Sequence, residues 1–366
     1  MKGWRNRGVE VLFMAQYEGV SEVHDYVAFH LMKPSLFTRV YNRLADRMYN
    51  PSLAESKKNK AYLPQWRDLR RQIKSFRPQV VIIRNMSLGN ALVCLACRMA
   101  GIRYLVNYTQ TPLYRESSEK KPGSFLAKKV FPGVSFTPVL YRGENRTTRN
   151  IPQAWYSPKF FIPLVCEAAD VQDKTYCKDG IVHLLDVGKY RGYKNHYLLM
   201  DALAAVEDKS RFFLTVIGQL ENSSEKEYYD KLSAYVREKG LAPYVDLRGN
   251  VPFSEMESVY RQADVLVLPS RSETAGMVIL EAMAQGLCVM SGNNCGLASY
   301  LDDNDCGFVF SIADPTELTA QLNSLDAEVI AGNGRKSVEV VKEKYGFQNY
   351  YEGLKHLMKE YYSVDL

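Results

Sequence analysis

No apolar run in this sequence is long enough to span a bilayer, and residues 1–20 carry charges where a secretory leader needs an apolar core. The chain is therefore expected to be cytoplasmic. Its seven cysteines, an odd number, are scattered at 94, 97, 166, 177, 288, 295 and 306, so no disulfide framework is implied and reduced thiols are expected. Cys94 and Cys97 form a C-x-x-C inside the apolar run Ala-Leu-Val-Cys-Leu-Ala-Cys. Three-residue spacing on a buried helix face makes them core residues rather than a metal or redox pair. Helix-turn-helix, RNA-binding and zinc-finger patterns are missing, which argues against nucleic acid. No Gly-x-Gly-x-x-Gly follows a strand, which disfavours a nucleotide-binding oxidoreductase. No Asp-x-Asp stands at a plausible metal position; Asp302, Asp303 and Asp305 read as turn residues.

What is present is an ordinary globular composition, 46% hydrophobic and 24% charged, over 366 residues. That length exceeds one core, so two domains are expected. The net charge of +6 hides a division. Residues 1–165 hold 27 Lys+Arg against 10 Asp+Glu, a net +17, and the remainder nets −11. A basic first domain suits a phosphorylated acceptor or an anionic membrane surface.

The second half alternates strand and helix. Apolar runs at Ile181–Val187, Phe212–Ile217, Tyr244–Leu247, Asp264–Leu268, Leu287–Met290 and Gly307–Phe310 read as strands. Helical patterns occupy Asn195–Val206, Lys226–Lys239, Glu255–Gln262, Met277–Gln285 and Thr316–Leu322. Short continuous apolar strands between helices predict a parallel sheet covered on both faces, a Rossmann-like domain. Ser254 with Glu257 reads as a capping box, and Asp314-Pro315-x-Glu317 as N-cap, N1 proline and first-turn acid. In the first half, Gly8–Met14, Pro78–Ile83 and Tyr104–Tyr108 read as strands. Trp66–Ser75 and Leu88–Ala100 read as helices, Gly101 ending the second. Loops are expected at Ser52–Lys60, 116–123 and 142–150. The predicted domains are 1–163 and 164–345, with an amphipathic helix at 346–366 crossing back to the first.

The densest chemistry lies in Ala263-Asp-Val-Leu-Val-Leu-Pro-Ser270-Arg-Ser-Glu273-Thr-Ala-Gly276-Met-Val-Ile-Leu-Glu281. A buried strand ends at Pro269, a polar loop follows, and a helix begins near Gly276. The carboxyl end of a parallel strand feeding a helix N-terminus is where α/β sheets bind phosphorylated ligands. Backbone N–H groups around Thr274, Ala275, Gly276 and Met277 would face a diphosphate, and Gly276 permits close approach. Ionised carboxylates accept hydrogen bonds only, which suits Glu273 and Glu281 to sugar hydroxyls. Glu281 lies among Val278, Ile279, Leu280 and Met283, where an unpaired charge is costly.

This stretch resembles the E-x7-E signature of retaining GT-B glycosyltransferases, in particular family 4. Asp186-Val-Gly188-Lys189-Tyr-Arg-Gly-Tyr-Lys194-Asn195-His196 is similar to that family's G-R/K-x4-K-N/G-H segment. Val216-Ile217-Gly218 resembles its V-x-G turn, and Gly249-Asn250-Val251-Pro252 the segment whose backbone holds the base. The likeness covers roughly residues 180–310. It implies an α/β GT-B fold, two Rossmann-like domains facing a central cleft. It also implies that Lys189 and Lys194 clamp a donor pyrophosphate at Gly188 and Gly218, that Glu273 holds the donor sugar, and that Glu281 holds the ribose. The aromatic-glycine pair usual after the first glutamate is replaced here by Thr274-Ala275-Gly276. Arg191 has a suitable charge but no family counterpart, and His196 reads as a helix-start packing residue.

The first half departs from the family. Trp4-Arg-Asn-Arg-Gly-Val-Glu-Val-Leu-Phe resembles the end of the family's first helix running into its second strand, which implies that the first strand and its glycine-rich loop are lacking; such a truncation predicts an upstream in-frame start, poor folding or low activity. The alternative is a divergent first strand at Val9–Met14 followed by the loop 16–21. The family's histidine after the fifth strand is replaced by Val106-Asn107-Tyr108-Thr109-Gln110.

The expected activity is transfer of a sugar from a UDP- or GDP-linked donor to a glycan or lipid-linked acceptor hydroxyl, with retention. No cofactor and no metal is expected, because Lys189, Lys194 and helix-end N–H groups stabilise the leaving diphosphate. A catalytically defective chain serving as a binding partner is the rival from another class. A GT-B epimerase or phosphorylase lacks support, since neither paired acid/base residues nor a pyridoxal lysine is evident. The basic first half predicts salt-sensitive binding to anionic vesicles; equal sedimentation with them at low and high salt would count against that surface.

Overall fold

The computed structural model describes residues 2–15, 28–40, 63–84, 88–110, 130–139 and 160–365. The loops expected at 16–21, 52–60, 116–123 and 142–150 lie outside the described residues. The chain divides into two units, Met1–Thr109 with Ser117–Phe136 and Tyr361–Ser363, and Thr137–Glu360 with Gln110–Glu116 and Val364–Leu366.

In the first unit, helix α1 (Lys2–Arg5) turns through Gly8, φ +69°, into strand β1 (Leu12–Ala15). This strand starts later than its apolar run suggests, because the N–H groups of Gly8 and Val9 bond back to Arg5 and Trp4. β1 pairs in parallel with β2 (Ala28–Leu31), Leu12 opposite Ala28. A separate parallel set joins β3 (Val80–Arg84), β4 (Tyr104–Tyr108) and β5 (Val134–Thr137). Helices α2 (Trp66–Phe76) and α3 (Leu88–Met99) cover it, and Gly101 at φ +81° ends α3 as the sequence predicts. Leu69, Ile73, Ile83, Cys94, Cys97 and Leu105 form the core. Cys94 and Cys97 are buried, and burial pushes their thiols up to about 11 and about 12, as inert core residues require. Tyr362 belongs to this unit too, its hydroxyl donating to the Leu105 carbonyl at 2.7 Å.

The second unit begins with the short β6 (Phe160–Phe161). Six strands then form one sheet: β7 (Val182–Val187), β8 (Phe212–Gly218), β9 (Val245–Gly249), β10 (Val265–Leu268), β11 (Cys288–Gly292) and β12 (Gly307–Phe310). Their order is β12-β11-β10-β7-β8-β9, every pairing parallel. Chain order therefore reverses between β7 and β10, the doubly wound arrangement. The crossover helices are α4 (His196–Ala205), α5 (Ser223–Glu238), α6 (Phe253–Gln262), α7 (Met277–Ala284) and α8 (Ala298–Asp302). After β12 come α9 (Pro315–Asn323), α10 (Ala327–Lys344) and α11 (Phe347–Tyr362). β10 is buried at all four positions, which is why its sequence is apolar without alternation. One core, around Leu266, Ile279 and Leu301, and another, around Leu214, Met200 and Val267, flank the sheet.

Two helix starts test the capping expectations. Asp314 accepts a bond from the Thr316 N–H at 3.0 Å, with Pro315 at the first turn, as predicted. The Ser254–Glu257 box does not form. α6 starts two residues earlier, at Phe253, with Pro252 as N-cap and no side-chain cap, so Ser254 lies inside the helix. Asp305, at φ +48°, sits in a turn and pairs with Lys336 at 3.0 Å, as its reading as a turn residue requires. The helix over Ala327–Lys344 forms although Ala331-Gly332-Asn333-Gly334 in its middle resembles a breaker. The glycine at 334 is there for packing. A Cβ on it would lie 2.4 Å from the Gly286 carbonyl and 2.6 Å from the Tyr176 hydroxyl, whereas one on Gly332 would meet nothing within 4 Å. Gly334→Ala should therefore destabilise the protein by about 1–3 kcal/mol, and Gly332→Ala should stabilise it by about 0.5–1 kcal/mol; midpoints of urea denaturation check both.

Candidate active site

Two loops meet where the sheet reverses its order. The first follows β7 and holds Gly188, Lys189, Tyr190, Arg191 and Lys194; the second follows β10 and holds Ser270, Arg271, Glu273 and Gly276. They are tied three times. The Arg271 N–H donates to the Tyr193 carbonyl at 2.8 Å, and the Arg271 Nε to the Asn195 side-chain oxygen at 2.9 Å. Nζ of Lys194 donates to Oε2 of Glu273 at 2.6 Å. Asn195 stands at φ +60°, a left-handed conformation that asparagine tolerates, and this residue joins a 3-10 turn to α4.

Lys194 is nearly buried, at 8% exposure. Burial alone would depress its ammonium. The Glu273 carboxylate, as charge and as acceptor, and then Asp186 outweigh that and hold it above its ordinary value. The lysine stem folds against Gly188, where a Cβ would sit 3.0 Å from its Cδ and Cε. Lys189, in contrast, points toward solvent, 3.8 Å from Glu221. Arg191 is committed elsewhere: its guanidinium pairs with the buried Glu225 at 2.7 and 2.8 Å and so braces the loop.

Glycines set how closely these loops approach. A Cβ on Gly218 would lie 2.5 Å from the Gly188 carbonyl and 2.6 Å from the Tyr190 ring. Gly276 is at φ +77°, and a Cβ there would reach within 2.3 Å of Cys295 Sγ. That thiol is buried, donates to the Ala275 carbonyl at 3.2 Å and is pushed up to about 12 by burial, so it supports the loop from beneath. No side chain caps α7 at Gly276; the Ile279 N–H turns back to the Gly276 carbonyl at 3.0 Å, and no capping side chain takes the N–H groups of Met277 and Val278, which suits an anion. Thr274 is exposed and Ala275 buried.

Glu281 is not left unpaired. It lies on α7, and the Tyr260 hydroxyl from α6 donates to its Oε2 at 2.8 Å. Val251 packs half-buried against the same core, in a turn where Asn250, φ +55°, accepts from the Leu220 N–H at 2.8 Å. The structure thus brings Lys194 and Glu273 into contact, places Gly188 and Gly218 beneath them, and sets Glu281 in its own hydrogen bond with Tyr260. Lys189 touches none of them in the ion pair described here. His196 is fully buried, its Nδ1 3.2 Å from the Tyr228 hydroxyl.

Sequence reasoning missed four participants. Tyr190 is fully buried, its hydroxyl 2.9 Å from the Arg248 carbonyl and 3.1 Å from that of Val216. Tyr260, Cys295 and Asn294 were missed as well; the Asn294 side-chain amide donates to the Arg271 carbonyl at 3.1 Å. Tyr260, Cys295 and Asn294 act from other elements than the motifs they support, and Tyr190, though inside the first motif, is fixed by carbonyls of two other strands, so no local spacing announces them.

Residues 178–328 match the family model "Glycosyl transferases group 1". The chain is 31% identical over 172 residues to a D-inositol 3-phosphate glycosyltransferase of Paenarthrobacter aurescens, covering 45% of this chain and 41% of that protein. It is 29% identical over 182 residues to the lipopolysaccharide glucosyltransferase WaaG of Escherichia coli, covering 48% and 45%. The chain thus spans less than half the length of these relatives. A solved glycosyltransferase of Rickettsia africae shares the fold at a TM-score of 0.69 and 13% identity, over 98% of this chain and 92% of that one. The fold is the α/β, parallel-sheet GT-B type.

The glycine geometry separates two substitutions. Gly218→Ala drives a Cβ into backbone and a buried ring and should cost about 1–3 kcal/mol. Gly188→Ala meets only a flexible lysine stem and should change stability by less than about 0.5 kcal/mol. Thermal unfolding of the two variants side by side checks the difference.

Proposed function

We propose that this chain transfers a sugar from a UDP- or GDP-linked donor to an acceptor hydroxyl, with retention at the anomeric carbon. The observation that carries this is the Lys194–Glu273 pair at the sheet's reversal point, beside the open first turn of α7. A near-buried cation facing uncapped N–H groups is a site for a diphosphate. Charge grows on that diphosphate as its bond to the anomeric carbon breaks. Lys194, with Lys189 swung in from solvent and the Met277 end of α7, stabilises it electrostatically, which is the part a metal takes in other transferases. No cofactor enters the reaction. Glu273 passes from Lys194 to the donor-sugar hydroxyls, and Glu281, oriented by Tyr260, holds the ribose. Gly188, Gly218 and the backbone from Thr274 to Gly276 let the phosphates approach, while the turn at Val251 takes the base.

The acceptor is a glycan or a lipid-linked glycan, as in bacterial-type polysaccharide synthesis at the inner face of a membrane. The excess of basic residues in the first half supports it, and so do the named activities of the relatives on a phosphorylated inositol and a lipopolysaccharide. Among the described residues no helix is long and apolar enough to cross a membrane, so attachment would be to the surface.

A thermal-shift screen of UDP-, GDP- and ADP-sugars identifies the donor, since a ligand at 100 times its Kd adds about 2.7 kcal/mol. With that donor, Lys194→Ala and Glu281→Ala should each lower transfer by about a hundredfold or more, with circular dichroism unchanged. Wild-type rates in either purified variant would overturn the assignment.

A further inference from the structure

Beneath the Lys194–Glu273 pair lies a second acid. Asp186 is the penultimate residue of β7, two residues before Gly188, and is fully buried. Neither of its carboxylate oxygens has a hydrogen-bond partner among the described residues. Four titratable groups face it. Lys194 and Tyr190 come from the loop after β7, His196 from the start of α4, and Tyr228 from α5. His196 Nε2 lies 3.8 Å from Asp186 Oδ2 and is itself without a partner. Burial and the neighbouring Lys194 charge push this imidazole down to about 3, so it is neutral. The hydroxyl of Tyr190 is turned to backbone carbonyls and that of Tyr228 to His196, and burial holds both phenols protonated. An ionised Asp186 therefore has one countercharge, Lys194, and shares it with Glu273.

A buried carboxylate without hydrogen bonds is costly, and it relieves that cost by binding a proton. Burial pushes Asp186 up to about 7, with Lys194 pulling the other way. A diphosphate on Lys194 removes that opposing pull and adds negative charge on the same side. Both changes disfavour the ionised acid.

We propose that Asp186 takes up one proton from solvent when a nucleotide diphosphate engages Lys194, and returns it when the diphosphate leaves. The inference rests on the donor reading of this site. Asp186 is a positioning residue: it acts through Lys194, neutralising itself so that the lysine is released to the ligand. The sign follows from the linkage. In the empty site the carboxylate form prevails above about pH 7, so donor binding there must draw a proton. Affinity should then fall as pH rises, by at most about tenfold per pH unit for one linked proton.

Isothermal titration with UDP-glucose and with GDP-mannose, in two buffers of different ionisation enthalpy at about pH 8, counts the protons taken up. Wild type should take up between roughly half a proton and one. Asp186→Asn should take up almost none and lose the pH dependence of its affinity, while His196→Gln should keep both. Wild-type binding without proton uptake overturns the proposal, even if Asp186→Asn fails to fold. So does uptake that survives in Asp186→Asn or disappears in His196→Gln. If neither nucleotide sugar binds wild type, the donor reading falls first and this inference with it.

Discussion

The ion pair between Lys194 and Glu273 is the constraint around which the second unit's loops are arranged. An ammonium at 8% exposure needs a partner, and the partner comes from the loop on the other side of the sheet's reversal point. The rest follows from bringing those loops together. Arg271 bridges to Tyr193 and Asn195, the lysine stem lies against Gly188, and Gly276 must adopt a left-handed backbone over Cys295. Removing either partner would leave the other charge poorly solvated, so each keeps the other in place.

Three acids near this pair have been given different surroundings. Glu273 carries its counter-ion, Glu281 has a hydroxyl donor from Tyr260, and Asp186 has neither. Glu273 and Glu281 present acceptor oxygens that already hold a donor, and Asp186, buried without one, is the acid suited to change state. Arg191, which has the charge expected of a fourth participant, is spent on the buried Glu225 and works as a brace.

How much of this was legible in the sequence depended on whether the cause was local. The strand at Val265–Leu268 was, because a run buried on both faces must be apolar throughout. The start of α9 was too, because Asp314 and Pro315 act within one turn. The helix over Ala327–Lys344 was not. Its glycines look like a break unless one knows that the Gly286 carbonyl and Tyr176 press against position 334. The Ser254–Glu257 box had the right letters, yet the helix starts two residues earlier, with Pro252 as its N-cap. The site shows the same limit. Lys194, Glu273 and Glu281 stand in ordered motifs, whereas Tyr190 and Tyr260 owe their roles to partners 58 and 21 residues away, and Asp186 owes its role to its burial.

Tyr190 carries a last implication. Its ring occupies the floor of the loop after β7, and its hydroxyl reaches carbonyls at the ends of two neighbouring strands. The loop is thus moulded by the interior of its own domain rather than by whatever it receives. Conformational freedom that a flexible phosphate loop would surrender on each encounter is surrendered here once, as the chain folds, so ligand exchange need not wait for a disordered segment to reassemble.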